Sequence, residues 1–553
     1  MNPWFDNLPA LPVLLPLLTA ALMLLTRDNQ RPVRVMLGAV SLGLQVLVAL
    51  ALIRATQGIG RPAWPDGVGV YLLGNWPAPF GIVLVADRLS ALMLGLSAVL
   101  GTCAWVYATA RWDRAGRHFH PLFLLQMMGL NGAFLAGDLF NLFVFFEILL
   151  TASYGLMLHG SGKQRVGAAL HYIAVNLIAS FLLLIAIALI YGLTGTLNLA
   201  DLAVQVQQLN QADRQLFDSA AAILGVAFLI KAAAWPLNFW LPNAYAEACA
   251  PVAALFAIMT KVGIYALLRI GSLLLPADAP AAFGGAWMFP AGIATLIFGT
   301  LGMLASSQAR RIAAYAVITS SGTLFAALGM PGATLTGPAL YYLLSSVLGL
   351  GALFLLLELT ERSQSFGADM LAITQEAFET DESDDTSLSE QVVGVPFPAA
   401  MAFLGLSFFA CALIVVGLPP LSGFVAKFSL LSAALRTAEY GAPDFNVWLL
   451  VAVMLASGMA SLLAFVRSGI RLFWIPEDLR VPALRLNEAM PILVLMLAAI
   501  ALTLRAGSVL DYLEDTAWYL NEPIRYTHAV LDTGLKNSKP TRLPSADGTT
   551  GLP

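Results

Sequence analysis

Apolar stretches of about 20 residues follow one another from Leu8 to Arg505, each long enough to cross a hydrocarbon core of ~30 Å. Within lipid the backbone has no water to bond to, so each stretch must satisfy its own N–H and C=O groups as a helix. Hydrophobic residues make up 59% of the chain and charged residues 11%. Soluble domains carry about 25% charged residues. The chain therefore reads as an all-α polytopic membrane protein.

About fourteen spans are expected, at residues 8–26, 33–54, 86–108, 119–136, 139–159, 166–193, 216–237, 247–271, 286–306, 309–330, 336–359, 397–436 (long and interrupted), 446–468 and 485–505. Loop charges give an independent check. Loops after odd-numbered spans hold Arg27, Arg31, Arg34, Arg111, Arg114, Arg117, Lys163, Arg165, Arg310, Arg311, Arg362, Arg467, Arg471, Arg480 and Arg485. Loops after even-numbered spans hold little beyond Arg61, Arg214, Arg269 and Arg436. Positive loops stay in the cytoplasm, which places both termini outside and agrees with an even number of spans.

Four segments divide the chain. Residues 1–80 carry two helices and an outer loop rich in Gly, Pro and Trp, and residues 81–505 form the membrane core. Residues 361–396 include the acidic run FETDESDDTSLSE, best read as a solvated loop on the cytoplasmic side. The tail, 506–553, is polar, and its last residues cannot bury a core. Its first part, LDYLEDTAWYLNEPI, is expected to be an interfacial helix or a docking surface for a partner.

Ionisable side chains inside the apolar runs point to a function. Glu147, Lys231, Lys261 and Lys427 lie within GDLFNLFVFFEILL, AILGVAFLIKAAAWP, LFAIMTKVGIYALLR and LPPLSGFVAKFSLL. A charge at a helix centre costs roughly 2.5–3.5 kcal/mol on insertion scales, so such residues are paired or hydrated and commonly mark an ion or proton path. Glu147 follows Asp138, at the outer end of its span, by nine residues, about 13–14 Å in a helix. Lys231 is the expected counter-charge, forming with Glu147 a pair that switches as the lysine gains or loses a proton. Lys261 and Lys427 extend the line, with His171, Tyr172, Asn176, Ser180 and Tyr265 as neutral polar groups able to bridge it.

Two of these lysines sit beside expected helix breaks. Pro236, Pro242 and Pro251 follow Lys231, while Gly417, Pro419, Pro420 and Gly423 precede Lys427. Proline removes a backbone donor and clashes with the preceding turn. Broken backbone in a membrane is tolerated where it is buried or lines a wet cavity, and matched breaks in two halves of a chain are a mark of inverted-repeat transporters.

Other chemistry finds no support. The net charge is −4 and no basic tract suggests nucleic acid. Cys103, Cys249 and Cys411 are isolated, without ligand spacing, and read as packing residues. No phosphate-binding glycine loop, metal motif, cofactor site or nucleophilic triad is present, so the chain is not read as an enzyme. Asp6 stands where a signal peptide would be basic, so the first span is expected to stay uncleaved.

At GDLFNLFVFFEILLTASYGL and IKAAAWPLNFWLPNAYAEACAPVAALFAIMTKVGIYALLR the chain resembles the antiporter-like family shared by Mrp-type multisubunit cation/proton antiporters and the membrane arm of respiratory complex I. The resemblance covers about residues 80–505, and the form of the first motif is most similar to the D-type subunits of Mrp antiporters. It implies fourteen helices with breaks in helices 7 and 12, and inverted repeats over about 119–271 and 286–468. It implies proton-path roles for Glu147, Lys231, Lys261 and Lys427. It also implies membrane-subunit partners, with A- and C-like neighbours, and Na⁺ or K⁺ efflux driven by protons across the bacterial cytoplasmic membrane. One departure stands out: where many members carry a histidine and a lysine in helix 11, this chain has Ser345 and Leu350. Either water held by Ser345 and Ser346 substitutes, or the two halves of the path are less tightly coupled here. The alternative function is a proton-pumping subunit of a redox-driven complex.

Overall fold

The computed structural model describes residues 6–27, 30–57, 64, 67–116, 118–274, 287–330, 335–378, 399–436, 444–474 and 484–537. Among these the chain forms helices α1 (Leu11–Leu25) and α2 (Arg31–Gln57), then a hairpin of β1 (Gly69–Leu72) and β2 (Val83–Ala86). There follow α3 (Arg88–Ala108), α4 (Phe119–Leu135), α5 (Leu139–Met157), α6 (Lys163–Thr194), α7 (Leu199–Gln205), α8 (Gln211–Lys231), α9 (Leu241–Glu247) and α10 (Ala250–Leu274). The second half holds α11 (Met288–Ala305), α12 (Ala309–Leu328), α13 (Thr336–Phe378), α14 (Ala399–Val416), α15 (Ser422–Arg436), α16 (Phe445–Phe473) and α17 (Leu486–Leu504). Two further helices, α18 (Ala506–Leu520) and α19 (Pro523–Asn537), complete it.

Twelve helices among the described residues are long and apolar enough to cross a bilayer, and Phe119–Leu135 is a shorter apolar one. The helix α8 is less apolar because Asp213, Arg214 and Asp218 occupy its first turns. Enclosure sorts the bundle: α10 and the Thr336–Arg362 part of α13 are surrounded by other helices, whereas α1, α2, α6, α16 and α17 keep an apolar face outward, as lipid-facing helices do.

The basic loops meet at one end of the bundle. There Arg31 pairs with Asp113 at 2.6 Å, Arg310 with Glu361 at 2.5 Å and Arg362 with Glu488 at 2.8 Å. Trp112 Nε1 donates to Glu358 at 2.7 Å, and Arg485 donates to the Ala110 carbonyl at 2.6 Å. At the other end stands the hairpin, antiparallel with Gly69 opposite Ala86, on which the turn Leu8–Ala10 packs. The tail joins this end: Tyr512 donates to the Arg88 carbonyl at 3.2 Å, and Leu513, Leu520, Tyr526 and Val530 are buried. Both described ends of the chain thus lie on the hairpin side.

The two expected breaks are present. Between α8 and α9 the backbone turns through residues 232–240, with Ala233 in the left-handed region at φ 58° and a cis Trp235–Pro236 bond. The Trp235 N–H freed by the turn donates to Thr295 Oγ1 of α11 at 2.8 Å, so the irregular stretch is satisfied by a side chain rather than by solvent. Pro242 and Pro251 sit in the first turns of α9 and α10, where the missing donor is harmless. Between α14 and α15, Gly417 takes φ +83° and closes the first half-helix by donating to the Leu413 carbonyl at 2.9 Å. A Cβ at Gly423 would run into the Ile414 carbonyl, so glycine is what lets α15 start against the end of α14.

One segment differs from the reading from sequence, which expected a loop over 361–396. Helix α13 continues through Phe378, so the first half of 361–396 is helical; its residues include no proline to stop it. The rest of that segment from residue 379, with most of the acidic run, lies outside the described residues, as do residues 538–553.

Candidate proton path

Lys231 is the last residue of α8, at the lip of the first break, and only 5% of it is exposed. Its Nζ donates to Ser180 Oγ of α6 at 3.2 Å and lies 5.0 Å from the centre of the Phe146 ring. An ammonium over an aromatic face is held by the ring quadrupole without neutralising its charge. Tyr172 and Asn176 sit on the same buried side of α6: Tyr172 Oη bonds Ser153 Oγ at 2.7 Å, and Asn176 donates to the Tyr172 carbonyl at 2.9 Å.

Glu147 follows Phe146 directly, and one helical step of about 100° turns it away from the lysine. It falls on a partly exposed stripe of α5 with Phe140, Val144 and Thr151. Its Oε1 is buried and finds no hydrogen-bond partner among the described residues. No ion pair within 4.0 Å joins it to Lys231, although Glu147 is close enough to act on that lysine coulombically. The direct pair expected from sequence is thus replaced by an arrangement in which Phe146 and Ser180 hold the ammonium.

Lys261 is completely enclosed in α10, and its Nζ bonds its neighbour's hydroxyl, Thr260 Oγ1, at 3.2 Å. One turn on, Tyr265 donates to the Phe134 carbonyl of α4 at 2.6 Å, and Arg269 stacks over its ring while pairing with Asp87 at 2.7 Å. Tyr265 is therefore fixed between α4 and the hairpin end.

Lys427 is half-buried in α15 and reaches back across the second break to donate to the Val416 carbonyl, the last of α14, at 2.6 Å. Its stem lies against Gly417. A cation at a helix C-terminus meets the negative end of the helix dipole and one of its orphan carbonyls.

The two serines of α13 face different partners. Ser345 Oγ bonds Ser422 Oγ at the start of α15 at 2.8 Å; Ser346 accepts from Ser320 Oγ of α12 at 3.0 Å and donates to the Leu343 carbonyl. Sequence reasoning missed Ser320, Ser422, Thr260 and the Val416 carbonyl. The cluster TSSGT at 319–323, polar residues inside an apolar run, is the signal that could have found the first.

Two further polar residues named from the sequence, His171 and Asp138, lie elsewhere. His171 is on the exposed face of α6, between Leu170 and the outward Leu177 and Ile178, with Nδ1 at 3.0 Å from the Gly167 carbonyl of its own helix. It does not bridge the lysines, because the helix period carries Tyr172 and Asn176 inward and His171 out. Asp138 caps α5, accepting from the Asn141 N–H at 2.6 Å, and its Oδ2 is buried with no partner among the described residues. Burial pushes this carboxyl up to about 6 against the backbone hydrogen bonds that hold it down.

Helices long enough to span a bilayer, with two breaks beside Lys231, which is enclosed, and Lys427, which is half-buried, define a membrane transporter scaffold. Residues 136–459 match the family described as NADH:quinone oxidoreductase/Mrp antiporter, transmembrane region. The chain belongs to this family. It is 49% identical over 541 residues to the D-type subunit of a probable K⁺/H⁺ antiporter of Rhizobium meliloti (strain 1021), covering 96% of this chain and 98% of that one. It is 34% identical to the D-type subunit of the Na⁺/H⁺ antiporter of Alkalihalophilus pseudofirmus, covering 95% of this chain and 99% of that one. Among solved structures it is similar to a chain of the Mrp complex from Dietzia sp. DQ12-45-1b, with a TM-score of 0.79 and 28% identity over 96% of this chain and 100% of that one.

Proposed function

We propose that the chain is the D-type, proton-translocating subunit of a multisubunit K⁺ or Na⁺/proton antiporter in a bacterial cytoplasmic membrane. The observation that carries this reading is the full-length 49% identity to the D-type subunit of a K⁺/H⁺ antiporter, joined to lysines held at 0% and 5% exposure. An amine enclosed among helices can exchange its proton only with groups or water inside the bundle, and lysine, unlike arginine, is able to release one. Glu147 and Lys231 serve as the entry pair, acting on each other through space; Lys261 relays, and Lys427 gates the second break. The end that gathers the basic loops is cytoplasmic and the hairpin end, with both termini, is outside. Other membrane subunits, including A- and C-like neighbours, cover part of the outward faces, and the half-exposed stripe bearing Glu147 is a natural place for one. Core residues 81–505 work as two repeats, about 119–271 and 286–468, each containing one broken helix.

Everted vesicles carrying the whole complex test this. Addition of K⁺ or Na⁺ should dissipate a preformed acid-inside pH gradient without any electron donor. Proton movement that ignores both cations and depends on oxidation of a donor would reject the antiporter in favour of a redox-driven pump.

A further inference from the structure

The first break is held from the second half of the chain. Past Lys231, the N–H groups of Ala232, Ala233 and Ala234 return to the carbonyls of Phe228, Ile230 and Leu229 in the last turn of α8. Trp235, four residues beyond the lysine, is the first whose N–H leaves the segment, and it donates to Thr295 Oγ1 of α11 at 2.8 Å. Thr295 is completely buried, and its own hydroxyl proton goes to the Ala291 carbonyl at 2.6 Å. With that proton committed, the oxygen is left to accept from Trp235. Thr295 is itself held fast, because α11 is locked to α12. A Cβ on Gly292 would strike Ala326, one on Gly322 would strike Leu296, and one on Gly299 would strike Thr319. The two backbones thus touch on either side of Thr295, an approach that only small residues allow. The second half of the broken helix, α9, also packs on α12. The lip that carries Lys231 is therefore seated on two helices of the second half.

We propose that Thr295 is a positioning residue for Lys231: it ties the first break to the α11–α12 pair, so that displacement of the second half of the chain reaches the lysine. The inference rests on the proton-path reading above and adds the contact through which the two halves act on each other. Thr295 touches neither the lysine amine nor the proton. It acts through the backbone between Trp235 and Lys231, which sets where the ammonium stands relative to Ser180 Oγ, at 3.2 Å, and the centre of the Phe146 ring, at 5.0 Å. These contacts, with the nearby charge of Glu147, govern how readily the amine exchanges its proton.

The test is proton flux through the assembled complex in proteoliposomes, driven by a K⁺ or Na⁺ gradient, read with a pH-sensitive dye and followed across pH. Thr295→Val keeps the shape of the side chain and removes the acceptor. It should lower flux roughly tenfold and move the pH of half-maximal flux by about half a unit or more. Thr295→Ser, which keeps the hydroxyl, should return both to the wild-type values. A valine variant with the wild-type midpoint overturns the proposal whatever its flux. So does a serine variant that shares the valine shift, because packing alone then explains the residue. Lys231→Ala separates the two readings. Loss of flux there, beside a wild-type midpoint in Thr295→Val, rejects only the role of Thr295, whereas wild-type flux in Lys231→Ala removes the path itself. Should the valine variant fail to assemble, Thr295→Ala is judged by the same midpoint.

Discussion

Lys427 Nζ donates to the Val416 carbonyl at 2.6 Å, so an ammonium on one half-helix closes the open end of the other. This contact gives the lysine a structural duty beside its proposed role in proton movement, and the two duties separate by substitution. Lys427→Met removes a hydrogen bond to a charged donor, worth about 1.5–3 kcal/mol, and should lower both thermal stability and flux. Lys427→Arg keeps a cation at the helix end but cannot release its proton. Arginine should therefore recover stability, measured by thermal unfolding of the purified protein, without recovering proton flux. Full flux with arginine would remove Lys427 from the path.

Gly423 sets how closely α15 approaches α14. In Gly423→Ala the new methyl meets the Ile414 carbonyl, and the start of α15 must shift, carrying Ser422 away from Ser345. Overpacking of this kind costs about 1–3 kcal/mol, and flux should fall with it. Gly405, in α14, is the control, because a Cβ there meets nothing within 4 Å. Gly405→Ala should leave the unfolding temperature and flux unchanged, and equal losses in the two variants would contradict the argument.

Asp138 predicts a pH dependence of stability. Its folded pKa, pushed up to about 6 by burial, stands above the ordinary 3.8. The protonated form is thus favoured by folding. Its contribution is most favourable below 3.8, declines as pH rises to about 6, and is flat above that. Asn caps helices as well as Asp does, so Asp138→Asn keeps the bond to the Asn141 N–H and removes the titration. Melting curves between pH 4 and pH 7 should show a shallower slope and a higher unfolding temperature at pH 7 in the variant. An unchanged slope would place the titrating group elsewhere.

The helical bundle and its breaks were legible because they rest on strong, local chemistry: apolar length, proline, and glycine beside lysine. Residues 232–240 and 417–421 are irregular where Pro236 and Gly417 to Pro420 required it. The buried and half-buried lysines themselves were legible because charges stand out in apolar runs. What lies around each lysine was not, since it depends on helix phase across different elements. Phe146 rather than Glu147 faces Lys231, and His171 faces outward while Ser180, nine residues later on the same helix, faces in. Ser422 and Ser320 are ordinary letters in the sequence and become partners of Ser345 and Ser346 only when α12, α13 and α15 are packed. The helical continuation of α13 to Phe378 was hidden by its polarity, because a helix leaving the membrane loses the apolar signal but not its backbone propensity.

The proposed path moves protons along ionisable side chains in the bundle, and Glu147 and Lys231 stand at its entry. The decisive measurement is cation-dependent proton flux in proteoliposomes containing the complete complex with Glu147→Ala or Lys231→Ala. The expected result is loss of that flux in each variant with the complex still fully assembled. Flux at the wild-type level in either one would contradict it.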